Sequence, residues 1–416
     1  METFLIINIR FVFWLLRKLF LSCQVGALIH NWIFYIADRF GPPRFGSVRD
    51  IPEGRKIMWH GRMRSKTTIE FVRKSYKLDP RVRRGLIDNF LTWRSFVGYL
   101  RRKKWEKRGY LIPSNIYISP TYRCNLKCRG CYAACHERKN ELSTAELNKI
   151  VDEQEKLGIL HVVMLGGEPF VRDDLWKIYA NHPTTVFDVF TNGTLIGKKE
   201  VERIAELGNI RILISLEGFR ETTDQRRGKG VYDKVMNALR LCHEANIYFC
   251  VSVTVGKENF DEATSEEFLL MLNGFGVFAI NYIPYMACGE DSAPFSELSD
   301  EQVARLEQWG EHIQDCYPIV PIIGRNGSGF VTSCPAADSK IHITAQGDVE
   351  PCVLCHYAAD NIHGKTILEV MDSPFFRRVR LFNRAGISRF NPCKVYKSAF
   401  LQEEYRRTGA YPTTTS

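Results

Sequence analysis

Residues 115–131 read N-I-Y-I-S-P-T-Y-R-C-N-L-K-C-R-G-C. A β-rich run, Asn115–Ser119, is followed five residues later by Cys124, Cys128 and Cys131 in a C-x3-C-x2-C spacing. Three thiolates on one short loop can hold three corners of a cubic iron–sulfur cluster. The fourth iron then lacks a protein ligand, and an open metal position is how a site receives a substrate or cofactor. A structural zinc site uses the same thiolates and takes a fourth ligand close by. Cys135 and His136 both qualify, so spacing alone admits either metal. The loop follows a strand, which is where the sites of α/β folds gather.

On the C-terminal side of this loop the chain alternates β-rich and helical runs. Further strands are expected at His161–Leu165, Val186–Thr191, Arg211–Leu216, Tyr248–Val255 and Phe278–Tyr285. Two intervening helices carry capping boxes, Ser143 with Glu146 and Ser299 with Gln302. Six strands alternating with helices predict βα units around a parallel sheet. Six is too few for a closed eight-stranded barrel. The expected architecture is a partial (β/α)6 barrel or an open sheet, with its site at the C-terminal strand ends.

The motifs at those strand ends resemble the radical SAM superfamily. Gly166-Gly167-Glu168-Pro169 stands at the end of the second strand and Thr191-Asn192-Gly193-Thr194 after the third. Ser215-Leu216-Glu217-Gly218 follows the fourth, and D-Q-R-R-G runs from Asp224 to Gly228. The resemblance implies that Cys124, Cys128 and Cys131 ligate a 4Fe–4S cluster whose open iron is chelated by S-adenosylmethionine. Gly166, Gly167 and Glu168 would meet the cofactor's amino group. There the glycines permit close backbone approach and the carboxylate answers the positive charge. Asn192 and Ser215 would meet ribose or carboxylate oxygens. Arg227, and less directly Arg226, would pair with the cofactor carboxylate in fork geometry. The family often places an aromatic residue before the third cysteine. Here Gly130 stands there and Tyr132 follows, so adenine contact falls to backbone or to Tyr132. The implied chemistry is one-electron: the S–C5′ bond is cleaved reductively, and a 5′-deoxyadenosyl radical removes hydrogen from a substrate carbon. No acid–base residue is required. A low-potential donor such as a flavodoxin or ferredoxin is the expected reductant.

A second cysteine group lies near the C-terminus. Cys334, Gly347 and Cys352 stand in C-x12-G-x4-C, with Cys355 and Cys393 beyond. This resembles the start of the SPASM or twitch extensions of radical SAM enzymes. It implies one auxiliary 4Fe–4S cluster held by Cys334, Cys352, Cys355 and Cys393. A zinc knuckle with the same four thiolates shares the spacing. Ile341–Thr344 and Val349–Pro351 around Gln346-Gly347 predict a hairpin carrying these ligands. Cys250 reads as core, and Cys288 stands where substrate would enter.

The 416-residue chain holds 13 cysteines, and 45% of its residues are hydrophobic against 25% charged. That is ordinary globular composition and excludes disordered and collagen-like classes. The odd, closely spaced cysteines favour metal ligation over disulfides and a reducing compartment. Net charge is +10, but residues 1–110 hold 24 Lys+Arg against 8 Asp+Glu, and the rest of the chain is net acidic. A uniformly basic nucleic-acid binder is thereby excluded, and no nucleic-acid partner is expected. Residues 19–37 run without a formal charge. The segments RVRR and RRKKWEKR follow, with Phe90, Trp93, Phe96, Tyr99 and Trp105 interleaved. Together they predict association with an anionic membrane surface from the cytoplasmic side, either peripheral or single-pass.

Three regions are therefore expected. Residues 1–110 form a hydrophobic and basic helical region, 111–317 the radical SAM core and 318–416 a small cysteine-rich domain. Joining a membrane-directed leader to radical machinery points first to a lipid or lipid-linked substrate. The alternative is a peptide- or protein-modifying maturase. A non-enzymatic iron–sulfur carrier would leave Gly166–Pro169 and Asp224–Gly228 without purpose.

Overall fold

A computed structural model describes residues 66–85, 89, 93–94, 97–287, 295–323, 334–384 and 399–414. Strands β1 (Asn115–Ile118), β2 (His161–Met164), β3 (Val186–Thr191), β4 (Ile210–Ser215), β5 (Phe249–Val255) and β6 (Ala279–Pro284) lie side by side in sequence order. Each pairs in parallel with the next. All six fall within one residue of their expected positions. The reason is the burial: parallel strands covered on both faces are near-continuous apolar runs, and every residue of β2 is buried. Parallel neighbours need crossovers, which the helices supply, among them Thr144–Leu157, Lys198–Leu207 and Val231–Glu244. Both expected capping boxes form, Ser143 with Glu146 and Ser299 with Gln302.

The sheet goes further than the sequence alternation indicates. Strand β7 (Val320–Ile323) continues it in parallel beyond β6. On the opposite edge β8 (Lys340–Ile343) pairs in parallel with β1, Ile116 opposite Ile341. Antiparallel β9 (Asp348–Glu350) and the two-residue strand Asp360–Asn361 complete ten strands. The expected hairpin is β8–β9, so the C-terminal cysteines ride on the edge that carries the Cys124–Cys131 loop. Four-residue strands such as V-P-I-I and K-I-H-I are too short and mixed to register as periodic runs.

Among the described residues no helix is long and apolar enough to cross a membrane. The apolar segment that prompted the membrane reading lies outside the described residues. Part of the basic stripe has a different employment from lipid binding. The helix Gly98–Glu106 docks on the end of Thr144–Leu157. Arg101 donates to the Glu155 carbonyl at 3.2 Å and Arg102 to the Gly158 carbonyl at 2.5 Å. Both carbonyls lie at the C-terminal end of that helix, where the Glu155 carbonyl also accepts from the Gly158 N–H and cations are favoured. Trp105 packs against the core and edge-on to Tyr110. The structure thus gives these residues a packing role and lends no support to a lipid one.

Candidate active site

The residues named from sequence converge at the C-terminal ends of β1 to β4, because parallel strands bring the loops that follow them to one end of the sheet. The Cys124–Cys131 loop follows β1, Gly166–Glu168 follows β2, Asn192 follows β3, and Ser215 ends β4 beside Ser252 of β5.

The second of these turns is tightly locked. Gly166 has φ +104°, a left-handed conformation that favours glycine, and a Cβ there would strike the Thr121 carbonyl. A Cβ on Gly167 would strike the Arg123 carbonyl. The Gly167 N–H donates to Thr121 at 2.8 Å and the Glu168 N–H to Arg123 at 2.9 Å, so the turn lies flat on the segment entering the cysteine loop. Tyr132 closes it from above: its hydroxyl accepts from the Gly166 N–H at 3.0 Å.

Glu168 is fully buried. One carboxylate oxygen accepts from Thr191 Oγ1 at 2.8 Å and the Phe170 N–H at 3.1 Å, the other from the Asn192 N–H at 2.7 Å. Burial nevertheless pushes its pKa from 4.5 up to about 7, against the pull of those donors. An acid raised on folding holds its proton better in the native state. Its contribution to stability is therefore complete below about pH 4.5 and is lost as pH rises through about 7. Cluster-free wild type is expected to lose stability over that window, and Glu168→Gln to lose less. Urea unfolding at several pH values checks this, and parallel curves would refute it.

Asn192 reaches toward the cysteine loop. Its amide donates to Asn125 Oδ1 at 2.9 Å and lies 3.8 Å from Cys124 Sγ. Beyond it sits a group to which the sequence assigned no role. Glu217, wholly buried after β4, takes Arg226 and Arg227 on the same oxygen, with Arg227 Nε at 2.7 Å. Its other oxygen accepts from the Thr254 N–H at 2.9 Å. Burial alone would raise the Glu217 carboxyl, but the two guanidinium groups outweigh it and hold it below the usual carboxylate range. The Arg226 carbonyl in turn accepts from the Arg129 N–H at 2.9 Å and pins the cysteine loop. Cys124 and Cys128 are raised by burial; Arg227 and Arg226 oppose this at Cys128. A negative cluster would meet two fixed cations there. The only sequence signal for the clamp is a strand-end glutamate followed nine and ten residues later by paired arginines.

Gly130, with φ +62°, has Tyr285 against it; a Cβ would come within 2.6 Å of that hydroxyl. Tyr285, just past the end of β6, thus packs against the position before Cys131. Cys250 is buried as expected, whereas Cys288 and Cys393 lie outside the described residues. Cys334, Cys352 and Cys355 stand close enough to influence one another electrostatically, and burial raises Cys355. No disulfide joins any two of the ten described cysteines.

The donor set, the glycine cradle and the facing cations fit a 4Fe–4S cluster with a bound amino-acid cofactor.

The comparisons agree. Residues 118–271 match the radical SAM superfamily and residues 334–395 the SPASM iron–sulfur cluster-binding domain. The chain belongs to the radical SAM superfamily and is an S-adenosylmethionine-dependent iron–sulfur enzyme with auxiliary cluster ligation. It is 30% identical over 301 residues to the mycofactocin maturase MftC of Mycobacterium tuberculosis, covering 67% of this chain and 76% of that one. It is 38% identical over 144 residues to the Fe-coproporphyrin III synthase of Methanosarcina barkeri, but spans only 36% of that protein's length. Among solved structures, Streptococcus suis SuiB bound to S-adenosylmethionine shares the fold with a TM-score of 0.59 at 20% identity, over 67% of this chain and 71% of that one.

Proposed function

We propose that this radical SAM enzyme modifies a peptide or protein substrate. The observation that carries the reading is the likeness to mycofactocin maturase, which extends over 301 residues, well beyond the core match alone. The relatives reported above are named for maturation or porphyrin chemistry, and none for a lipid, so the lipid reading gives way. The carrier reading falls with membership of an enzyme superfamily.

In this proposal Cys124, Cys128 and Cys131 hold the cofactor-binding cluster, and Cys334, Cys352, Cys355 and Cys393 the auxiliary one. When bound, cluster and cofactor supply one-electron chemistry for removing hydrogen from an unactivated carbon. The chain's own part is position and exclusion of water. Gly166 and Gly167 let the cofactor's amino group approach backbone, and Glu168 answers its charge. A cation beside Glu168 would keep that carboxylate ionised despite burial. Glu217 takes Nε and Nη2 of Arg227, leaving Nη1 for the cofactor carboxylate. Asn192 and Ser215 offer polar groups to the ribose. Tyr132 braces the turn by its hydroxyl and offers its ring to adenine.

A second reading, modification of a tetrapyrrole, is favoured by the 38% identity to Fe-coproporphyrin III synthase over the shorter stretch. The deciding experiment gives anaerobic, iron- and sulfide-loaded enzyme a reductant, S-adenosylmethionine and one candidate at a time. The candidates are a short peptide encoded beside the gene, an iron porphyrin and a lipid extract. Deoxyadenosine formed in step with a mass change in the peptide is the expected result. Coupling to the porphyrin or lipid alone overturns it.

A further inference from the structure

We propose a mononuclear metal site, separate from both cysteine groups, formed by Cys135, His136 and His356 and suited to a borderline-soft divalent ion such as Zn²⁺. It goes beyond the radical chemistry and does not rest on the substrate reading. Among the described residues these are the only three whose metal-binding atoms all lie within 4.8 Å of one another. That is about an ångström wider than a tetrahedral Zn²⁺ sphere with one sulfur and two nitrogens, a gap that rotamer adjustment closes.

The independent observation is His136. It is 4% exposed, and neither ring nitrogen has a hydrogen-bond partner. The Thr413 backbone approaches the ring without reaching hydrogen-bond geometry. A buried imidazole with both nitrogens unpaired is rare and calls for a partner, which a metal ion provides. The ring is already aimed. It stacks on Tyr122 with centroids 4.1 Å apart and planes 7° from parallel, and His356 meets it edge-on at 4.8 Å. His356 donates Nε2–H to the Val353 carbonyl at 3.2 Å, which selects the tautomer with Nδ1 open. Cys135 Sγ rests 3.1 Å from the Tyr132 carbonyl. On metal binding its thiol proton leaves to solvent and the thiolate sulfur takes the metal. Water or another donor completes four-fold coordination.

The position gives the site a purpose. Cys135 and His136 end the short turn that follows Cys131, and His356 follows Cys355. An ion there would staple the cofactor-cluster loop to the auxiliary-cluster segment. That junction is already held by Gln346 donating to the Glu137 and Lys139 carbonyls. Spacing admits Cys135 or His136 as a fourth ligand to the Cys124 triplet only under the zinc alternative; in the fold both stand beside His356.

The test uses anaerobically reconstituted full-length protein with iron and sulfide counted, titrated with Co²⁺ as the probe. One equivalent is expected to bind with thiolate-to-cobalt absorption and to be displaced by Zn²⁺. Cys135→Ser should abolish the absorption, and His356→Ala should weaken uptake at least about tenfold, with iron and sulfide unchanged. Three results overturn the proposal. They are no Co²⁺ uptake by wild type, uptake indifferent to Cys135→Ser and His136→Ala, and loss of iron from those variants, which would assign the residues to a cluster.

Discussion

Replacing Cys124, Cys128 and Cys131 together with alanine is expected to halve the iron of the reconstituted protein, from about eight atoms per chain to about four, with sulfide falling in step. S-adenosylmethionine cleavage should vanish while an iron–sulfur absorption remains. The two cysteine groups occupy different loops. The first follows β1; in the second, Cys352 and Cys355 follow β9, with Cys334 ahead of β8. The pairing of β8 with β1 depends on backbone hydrogen bonds and on Ile341 and Ile343 rather than on the triplet. The second group should therefore keep its own metal. Near-zero iron would mean that the auxiliary group cannot assemble alone or was never a cluster. Four atoms in the wild type and none in the variant would leave Cys334, Cys352 and Cys355 to zinc.

Much of this was legible in the sequence for physical reasons. Strands β2, β4 and β5 are covered on both faces, so burial forces the Val and Ile runs that announce them. Gly166 and Gly167 announce themselves because a side chain at either would collide with backbone. Pairings across the chain left no such mark. Nothing in the sequence signals that Tyr285 fills the place beside Gly130, that Tyr132 closes the Gly166 turn, or that Cys135 faces His356. The basic stretch shows the opposite error. Charge density suggested lipid, yet Arg101 and Arg102 are directed at the carbonyl end of a helix, because that negative end attracts cations as anionic lipids do.

Glu217→Ala is expected to be the most damaging single change in the core. It removes the only carboxylate bonded to Arg226 and Arg227 among the described residues, and their side chains are 7% and 10% exposed. Leaving buried charges uncompensated costs about 3–5 kcal/mol, most of the stability of many domains. The loss should travel to the metal site. The helix Arg220–Arg227 holds the cysteine loop through the Arg226 carbonyl, so iron at the cofactor cluster should fall as the loop loosens. Glu217→Gln keeps shape and one acceptor and should be milder. The cause is separable from a simple cavity. Adding Arg226→Met to Glu217→Ala removes one orphaned charge and should recover part of the loss, a coupling that a cavity would not produce. Urea midpoints of the two single variants and the double variant, measured anaerobically, decide it. Strictly additive losses would show that the clamp is packing and not electrostatics. An undiminished midpoint in Glu217→Ala would show that Arg226 and Arg227 find other partners or water, and the clamp would then have no part in holding the cysteine loop.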